Sequence, residues 1–467
     1  MSFVTAAEIA SAVRSRRTSA VAVAREALAR IAAEDGRYNA FTHVTTARAL
    51  ADAEAVDRAI ASGRDPGALA GVPFAVKNLF DVKGEVTLAG SRINRGSTPA
   101  ARDATAVSRL CAAGAVLVGM LNMDEYAYGF TTENAHYGPT RNPHATDRTA
   151  GGSSGGCGAA VGAGLVPIAV GSDTNGSIRV PSAFCGVFGL KPTYGRLSRA
   201  GAFPFVYSLD HVGPFAGSAA DLALAYDAMQ GADERDPVCA GRSPELTAGC
   251  LGAGAVGLRI GLLGGYFQEN ANDDAWQAVE RAGHALGVTR TIELPEVERA
   301  RAAAFVITAS EGGQLHLPNL RTRRSEFDPL TRDRLSAGAL APASWYLQAQ
   351  RLRRWFSAGV REVFEEVDVL LAPATPTTAT RIGQDTMTIR GREMPLRPNI
   401  GMLTQPLSFI GVPVAVAPVG HSEGLPLGVQ IIAPPWREDL CLRVASVLEA
   451  HVLAPVEGTA GETLSES

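Results

Sequence analysis

The stretch from Gly151 to Pro181, GGSSGGCGAAVGAGLVPIAVGSDTNGSIRVP, constrains the fold most, because nine of its 31 residues are glycine. Glycine lets the backbone adopt positive φ and approach other segments closely. Two serine-bearing turns, GGSSGG and TNGS, flank the apolar run Ala159–Val170, which predicts a helix followed by a short strand. Such a fold would place Ser153 beside Ser177. A flexible Gly/Ser linker is the alternative, but linkers do not contain an apolar run such as LVPIAV.

Four sequence blocks together resemble the amidase signature family. They are GVPFAVKN at 71–78, NMDEYAYGFTTENAHYGPTRNP at 122–143, the glycine-rich stretch, and LPLGVQIIAP at 425–434. The resemblance implies an α/β protein with the amidase signature fold, in which helices cover both faces of a large mixed central β-sheet. It also implies a single domain over residues 1–467. Within that domain we predict a less regular, cap-like region at about 235–345 and a frayed tail at 452–467.

Hydrophobic periodicity predicts the elements around these blocks. Two helices are expected within 5–33, interrupted near 14–19, with further helices at 46–62, 105–113, 178–184, 274–286, 302–312, 343–366 and 438–451. Strands are expected at 71–78, 116–120, 258–263, 367–373, 412–418 and 427–434. We assign the last three strands to one central sheet.

The expected chemistry is that of an activated serine. A serine hydroxyl is a weak nucleophile without a base, and no histidine stands in the motifs that would supply one. The available base is Lys77, at the end of the buried strand 71–78. The ordinary lysine pKa of about 10.4 must fall for this role, and burial among neutral hydroxyls lowers it. The resemblance implies a relay in which Lys77 is the base, Ser153 bridges after a cis peptide bond from Gly152, and Ser177 is the nucleophile.

The turn before Ser177 is the predicted oxyanion site. The backbone N–H groups of Thr174, Asn175 and Gly176, with that of Ser177 itself, are the candidate donors, because DTNGS predicts a tight turn before a helix. The family usually has Gly or Ala at the position of Asn175. Asparagine is the non-glycine residue that best tolerates left-handed φ, so the turn can form, and its side chain can face the substrate.

The resemblance also implies substrate-binding residues. One member of the family, the A subunit of glutamyl-tRNA(Gln) amidotransferase, binds glutamine with a Tyr, an Arg and an Asp. Arg353 matches that arginine, His316 falls near the tyrosine, and Gly401 stands where the ammonium-binding aspartate is expected. Tyr128 sits where relatives place a side chain against the substrate. A core tyrosine at 128 and a solvated arginine at 353 are the alternative interpretations.

A pocket with Arg353 but without the aspartate suits an anionic amide that lacks an ammonium group. Within the family this combination resembles the relatives that hydrolyse 1-carboxybiuret or biuret in cyanuric acid degradation. The resemblance implies an amidohydrolase that cleaves such a small carboxylated ureide and releases ammonia. The alternative is the glutaminase subunit of glutamyl-tRNA(Gln) amidotransferase. Both resemblances imply a small helical partner subunit, and we expect a homo- or hetero-oligomer.

Two other motifs favour different classes of protein. GAGAVG at 252–257 fits the dinucleotide fingerprint G-x-G-x-x-G, but it precedes a predicted strand instead of following one. GGSSG at 151–155 fits the G-x-S-x-G nucleophile elbow, which requires a strand before it, whereas NPHATDRTA is polar and contains proline. We reject both interpretations.

Composition limits the ligands and the cellular location that we expect for the protein. The net charge of −4 argues against direct binding of nucleic acid. The six cysteines form no C-x-x-C pattern, which predicts reduced thiols and a cytoplasmic location. No apolar run is long enough to span a membrane. The eight histidines show no metal-binding spacing, and we expect neither a metal nor a cofactor.

Overall fold

Helices and strands alternate along residues 5–452, which are the residues that the computed structural model describes. The helices are α1 (Ala6–Arg14), α2 (Ala20–Tyr38), α3 (Thr46–Ala61), α4 (Thr105–Ala112), α5 (Gly155–Gly162), α6 (Arg179–Cys185), α7 (Ala219–Met229), α8 (Tyr266–Glu269), α9 (Asp273–Ala285), α10 (Val297–Thr322), α11 (Pro329–Ala339), α12 (Ala343–Glu366), α13 (Gln405–Ile410) and α14 (Glu438–Val452). The strands are β1 (Phe41–Val44), β2 (Pro73–Lys77), β3 (Val116–Leu121), β4 (Glu133–Asn134), β5 (Gly138–Pro139), β6 (Ile168–Asp173), β7 (Phe188–Lys191), β8 (His211–Ala216), β9 (Ile260–Leu263), β10 (Thr291–Ile292), β11 (Val369–Pro373), β12 (Thr386–Ile389), β13 (Arg392–Pro395), β14 (Val414–Ser422) and β15 (Leu425–Ile432).

One 11-stranded mixed sheet forms the centre of the molecule, in the order β1-β3-β2-β6-β8-β7-β14-β15-β11-β9-β10. β2 is parallel to β3 and β6, and β9 is parallel to β10 and β11, whereas the other neighbours are antiparallel. The predicted strands β11, β14 and β15 lie side by side in this sheet. Because β2 and β6 are parallel and Val76 pairs with Val170, the carboxyl ends of both strands meet at one edge.

Side chains of β2 show that both faces of the sheet are covered. Phe74 and Val76 belong to a hydrophobic core that includes Leu222 of α7, whereas Ala75 belongs to a second core with Ala24 of α2. Successive side chains of a strand point to opposite faces, so the two cores lie on opposite sides of the sheet. All five residues of β2 are buried, which leaves the Lys77 amine at the end of a strand shielded from solvent on both faces.

Helix α12 has the predicted bounds, whereas α10 is longer than the prediction of 302–312. It runs from Val297 to Thr322 and contains Pro318. Gly313, near the middle of the helix, allows α11 to pack closely against α10, because a Cβ atom at Gly313 would lie 2.7 Å from the Leu335 carbonyl oxygen of α11. Tertiary packing of α10 against α11 therefore outweighs the low helix propensity of glycine and proline.

Strand β8 has no counterpart among the predicted strands. Its Gly213 and Pro214 are residues that usually interrupt strands, yet Pro214 pairs with Val170 in the middle of the sheet. Within 235–345, β9 and β10 join the central sheet, and the same stretch of sequence contains the four helices α8 to α11. Residues 453–467 of the predicted tail lie outside the described residues.

Two further expectations concern the whole chain. All six cysteines are unpaired, and Cys157, Cys185 and Cys441 are buried. In the described range, no helix has the length and apolar character needed to cross a bilayer.

Candidate active site

Lys77 is the last residue of β2 and is fully buried. Its Nζ donates one hydrogen bond to Ser153 Oγ at 2.7 Å and another to Ser172 Oγ at 3.0 Å. The two hydroxyls belong to different segments, since Ser153 lies in the GGSSGG turn and Ser172 in β6. The structure thus brings together the residues predicted as base and as bridging serine.

The surroundings of Lys77 favour its neutral amine. Burial lowers the pKa of Lys77 from 10.5 to about 8, and acidic groups farther away, including Cys157 and Asp124, limit the fall. Both hydrogen-bond partners of the amine are neutral hydroxyls. A group with this pKa is partly unprotonated near neutral pH and is able to take up a proton.

The GGSSGG turn is fixed by close contacts with two other segments. The Gly152–Ser153 peptide bond is cis, as the family resemblance implies. A Cβ atom at Gly152 would overlap the Asp124 carboxylate, and one at Gly151 would lie 2.8 Å from Pro181 Cα. The Asp124 N–H donates to the Ser153 carbonyl oxygen at 3.2 Å. Only glycine fits at positions 151 and 152, because larger residues would push these segments apart.

Ser177 lies between β6 and α6, in a turn built around a buried ion pair. Arg179 Nε donates to Asp173 Oδ2 at 3.0 Å, and both side chains are 0% exposed. The Asp173 carboxylate also accepts the N–H groups of Gly176 and Ile178, at 2.7 and 3.1 Å. Burial alone would raise the pKa of Asp173, but the Arg179 guanidinium holds it below its usual range. The pair therefore keeps its charges in the interior and fixes the turn.

The hydrogen bonds of this turn distinguish the predicted oxyanion donors from one another. The N–H of Gly176 is engaged by Asp173, so it is not free to face an oxyanion in this structure. The N–H groups of Thr174, Asn175 and Ser177 make no hydrogen bond with other described residues. Ser177 itself is 2% exposed, and within residues 5–452 no hydrogen bond joins its Oγ to Ser153.

Tyr128 and His316, two predicted substrate-binding residues, each pack against another aromatic ring. The Tyr128 ring is 4.8 Å from that of Phe205, and the His316 ring is 4.0 Å from that of Tyr126. Both are buried, and neither Tyr128 Oη nor His316 Nε2 has a hydrogen-bond partner among the described residues. Burial lowers the pKa of His316 to about 4, so its imidazole is neutral near pH 7.

Arg353, the third predicted substrate-binding residue, lies half-buried on α12. Its Nη2 donates to the Ser208 carbonyl oxygen at 3.0 Å, and its guanidinium carbon is 6.0 Å from the Tyr194 ring centre. Burial lowers the pKa of Arg353, and no carboxylate of the described residues forms an ion pair with it. A partly desolvated guanidinium with free donors is suited to binding an anion.

Asn175 and Gly401 differ from the family pattern, and the structure explains both. Asn175 Nδ2 donates to Thr308 Oγ1 of α10 at 2.9 Å, whereas the buried Asn175 Oδ1 has no partner among the described residues. A Cβ atom at Gly401 would overlap the Phe130 ring, so an aspartate does not fit there. Thr404 connects the two positions, because its Oγ1 donates to the carbonyl oxygens of Asn175 and Gly401, at 2.6 and 3.0 Å.

A cavity of about 210 Å³ adjoins the Lys77 environment, and Ser172, Thr174, Phe203, Phe205, Tyr207 and Asp210 are among the residues that line it. Ser172 at one side of this cavity is hydrogen-bonded to Lys77. Tyr207 at another side precedes Ser208, whose carbonyl oxygen accepts a hydrogen bond from Arg353, so the cavity extends from Ser172 towards Arg353. Within residues 5–452, no group of three or more His, Cys, Asp or Glu side chains is arranged to hold a metal ion.

The sequence matches the family model described as Amidase over residues 22–442, which include every residue of this site. The chain belongs to the amidase signature family. As a member of this family it is a hydrolase, and its large mixed sheet with helices on both faces is the amidase signature fold.

Three relatives place this amidase within its family. It is 56% identical over 444 residues to AtzE, the 1-carboxybiuret hydrolase subunit of Pseudomonas sp. (strain ADP), covering 95% of this chain and 97% of the relative. It is 38% identical over 470 residues to the A subunit of the glutamyl-tRNA(Gln) amidotransferase of Methylococcus capsulatus, covering 94% and 95%. A solved structure with 56% identity has a TM-score of 0.95 and covers 96% of this chain and 98% of its own. That structure is described as a vestigial protein complex revealing the evolutionary origins of an s-triazine catabolic enzyme.

Ser172 is the residue of this amidase site that sequence reasoning missed. It stands in the GSD motif directly before Asp173, where no pattern distinguishes its hydroxyl from others. The signal would have been the pairing of β2 with β6, because parallel neighbours place Lys77 and Ser172 at the same sheet edge. That pairing joins segments almost 100 residues apart and is not visible in local periodicity.

Proposed function

We propose that this chain hydrolyses a small carboxylated ureide of the 1-carboxybiuret type through an acyl-enzyme on Ser177. The observation that carries the mechanism is the 2.7 Å hydrogen bond between the buried Lys77 amine and Ser153 Oγ. The observation that carries the substrate class is the 56% identity to a 1-carboxybiuret hydrolase subunit over nearly the whole chain.

The proton steps follow from the lowered pKa of Lys77. Ser177 Oγ–H gives its proton to Ser153 Oγ, and Ser153 gives its own proton to the neutral Lys77 amine. Ser177 Oγ bonds to the substrate carbonyl carbon as the C=O π electrons move onto oxygen, which gives a tetrahedral intermediate. The carbonyl then re-forms as the C–N bond breaks. The leaving nitrogen regains the proton through the same relay and departs as ammonia. Water then cleaves the acyl-Ser177 ester, with Lys77 again acting as base. In this structure Ser153 and Ser177 are not hydrogen-bonded, so the proposed relay requires the two hydroxyls to come into hydrogen-bond contact during the reaction.

The negative charge of the tetrahedral intermediate needs hydrogen-bond donors. The N–H groups of Thr174, Asn175 and Ser177 are the donors we assign, since they are not used by other described residues. One oxyanion donor typically contributes about 3–4 kcal/mol to lowering the barrier. The N–H of Gly176 keeps its bond to Asp173 and holds the turn in shape.

Arg353 and Gly401 support an anionic substrate without an ammonium group. Arg353 offers free donors to a carboxylate in a partly buried setting. At Gly401 the Phe130 ring occupies the space that an aspartate side chain would need. A glutamine ammonium would thus be buried without its counter-charge, which costs several kcal/mol.

Asn175 supports a substrate rich in N–H groups. Its Nδ2 is held by Thr308, which leaves Oδ1 as a buried acceptor two residues before Ser177. A biuret-type molecule presents amide N–H donors on both sides of its central nitrogen, so we assign Asn175 Oδ1 to one of them. We also assign Tyr128 Oη and His316 Nε2, which have no hydrogen-bond partner among the described residues, to the substrate pocket.

The alternative function is the glutaminase subunit of glutamyl-tRNA(Gln) amidotransferase. It is favoured by the 38% identity to such a protein over 94% of the chain. The overlap of any Gly401 side chain with Phe130 argues against it.

The test measures ammonia release from 1-carboxybiuret, biuret, asparagine and glutamine side by side. We expect the ureides to be turned over and glutamine to be rejected by at least about 100-fold, since an unpaired buried charge costs several kcal/mol. Glutamine turnover above that of the ureides would establish the alternative.

Ser177→Ala should abolish hydrolysis, and a fluorophosphonate should label Ser177. Labelling of Ser154, the residue after Ser153, would contradict the mechanism.

We also propose a partner subunit and a cellular location for the enzyme. A small helical partner subunit is supported by the relative solved as a protein complex. A cytoplasmic location is supported by six unpaired cysteines, since reducing compartments keep thiols free. The net charge of −4 supports a substrate that is a small molecule and not a nucleic acid. Fractionation of the cells of origin and purification under native conditions test location and oligomeric state.

A further inference from the structure

Helix α12 carries two exposed tryptophans along one side. Trp345 is 58% exposed and Trp355 is 53% exposed. In chain order, steps of three and four residues connect Trp345, Gln348, Leu352, Trp355 and Gly359. Residues at this spacing form a continuous row on a helix. We call these five residues the α12 row. Large aromatic side chains grouped on an exposed face are typical of interaction sites.

The α12 row borders a groove that is shaped to receive side chains from outside. The groove has a volume of about 450 Å³ and is lined by Gln348, Arg351, Leu352 and Trp355 of α12 and by Arg299 of α10. Four of its five lining residues belong to α12, so the groove follows that helix from Gln348 to Trp355. An amphipathic helix that lays its apolar side into such a groove is a common mode of protein recognition.

The charged residues nearest the two tryptophans are of one sign, and the exposed Glu362 lies one turn beyond the row. Between Ala343 and Arg361 the helix has four arginines and no acidic residue. Arg351 and Arg354 are exposed and form no ion pair with the described residues, whereas Arg299 is paired with Glu296 at 3.0 Å. The uncompensated charge beside the row is therefore positive.

This charge decides between possible occupants. A second copy of the chain would meet the first through a two-fold axis, so both sides of the interface would carry the same unpaired arginines, Arg351 and Arg354. Like charges facing each other across an interface oppose binding. We infer that the α12 row docks an acidic amphipathic helix of a partner protein. The apolar side chains of that helix would pack between Trp345 and Trp355, and its carboxylates would pair with Arg351 and Arg354. The inference rests on the partner subunit proposed above and specifies its docking surface.

The experiment uses the full chain and two synthetic helical peptides of about 20 residues, long enough to form helix on binding. Both peptides have leucines at the spacing of the α12 row, and the flanking positions are Glu in one and Lys in the other. We expect the Glu peptide to bind and the Lys peptide not to. Trp345→Ala with Trp355→Ala should weaken binding of the Glu peptide by at least about tenfold. Arg351→Glu with Arg354→Glu should reverse the preference to the Lys peptide.

Matched controls lie on other surfaces. Leu246→Ala and Val256→Ala remove apolar side chains that are 70% and 92% exposed, and Arg25→Glu reverses an exposed charge on α2. None of these should change binding of the peptides. Amide hydrolysis by each variant checks its fold and keeps the test separate from that of the proposed function.

Three results would overturn the inference. The first is equal binding of the Glu and Lys peptides, or of neither. The second is a dimer of the chain alone, seen by sedimentation, that the tryptophan variants dissociate. The third is binding to anionic lipid vesicles that depends on Trp345 and Trp355 while the Glu peptide does not compete.

Discussion

Lys77 and Lys191 end two strands of the same sheet, and both are fully buried. Burial lowers the pKa of Lys77 to about 8 and that of Lys191 to about 7. Their partners differ, because Lys77 Nζ donates to two serine hydroxyls, whereas Lys191 Nζ donates to the carbonyl oxygens of Pro192 and Val412. A hydroxyl can accept and release a proton, and a carbonyl oxygen has none to release. A lowered pKa thus reports burial, and the neighbouring atoms determine whether the amine can do chemistry.

The largest expected effect is that of Lys77→Ala. Loss of a general base should lower kcat/KM by about 1000-fold, within the usual range for such catalysis. Lys191→Met, the matched control, should leave kcat/KM near the wild-type value. Steady-state ammonia release measures both, and equal losses in the two variants would remove the distinction between the lysines.

The pH dependence of the wild type should follow Lys77. The active form has a neutral amine, so acidification removes it, and kcat/KM should fall about tenfold per pH unit well below the midpoint. Because the pKa of Lys77 is about 8, the midpoint of this acid limb is expected near pH 8. Rate profiles from pH 5 to 10 measure it. The midpoint should be unchanged in Lys191→Met, and a shift in that variant would assign the limb to the wrong lysine.

Ser172→Ala should have a smaller effect. Ser172 Oγ accepts a hydrogen bond from the Lys77 amine at 3.0 Å, and such a bond favours the protonated form. Its loss should lower the pKa of Lys77 further and move the acid limb to lower pH. We expect kcat/KM at the plateau to fall about fivefold, the equivalent of one hydrogen bond. Ser172→Thr keeps the hydroxyl and should restore the wild-type midpoint, which a purely structural role for Ser172 would not require.

The smallest effect on rate, with a measurable effect on stability, is expected for Lys191→Met. The carbonyl oxygens of Pro192 and Val412 lose their donor, which should cost about 1–3 kcal/mol of unfolding free energy. The unfolded chain binds a proton at Lys191 between about pH 7 and pH 10.5 that the folded chain does not, so this lysine makes stability rise with pH in that range. The destabilisation by Lys191→Met should therefore grow from pH 7 to pH 10. Urea unfolding at these pH values measures it, and a difference that shrinks with pH would contradict the assigned pKa.

The comparison also shows what the sequence can predict. Strand β2 and helix α12 follow from their apolar patterns, and the contact of Lys77 with Ser153 follows from the family resemblance. The distinction between Lys77 and Lys191 does not follow, because both stand at the end of an apolar strand and differ only in their spatial neighbours. The same holds for the bond from Asn175 to Thr308, which joins residues 133 positions apart. Local patterns predict elements, while the site depends on long-range pairing of those elements.

Helix α10 has a consequence for how this family can be re-engineered. Thr308 and His316 lie about two turns apart on α10, and they contact Asn175 and the Tyr126 ring, respectively. The helix that carries the proposed substrate-binding residue His316 is thus physically joined to the turn in which we propose the nucleophile. In a chimaera, a transplanted α10 would bring its own residues to both contacts. Substrate range and turnover are therefore not separate modules here, and new specificities require the helix and the turn to be exchanged as one unit.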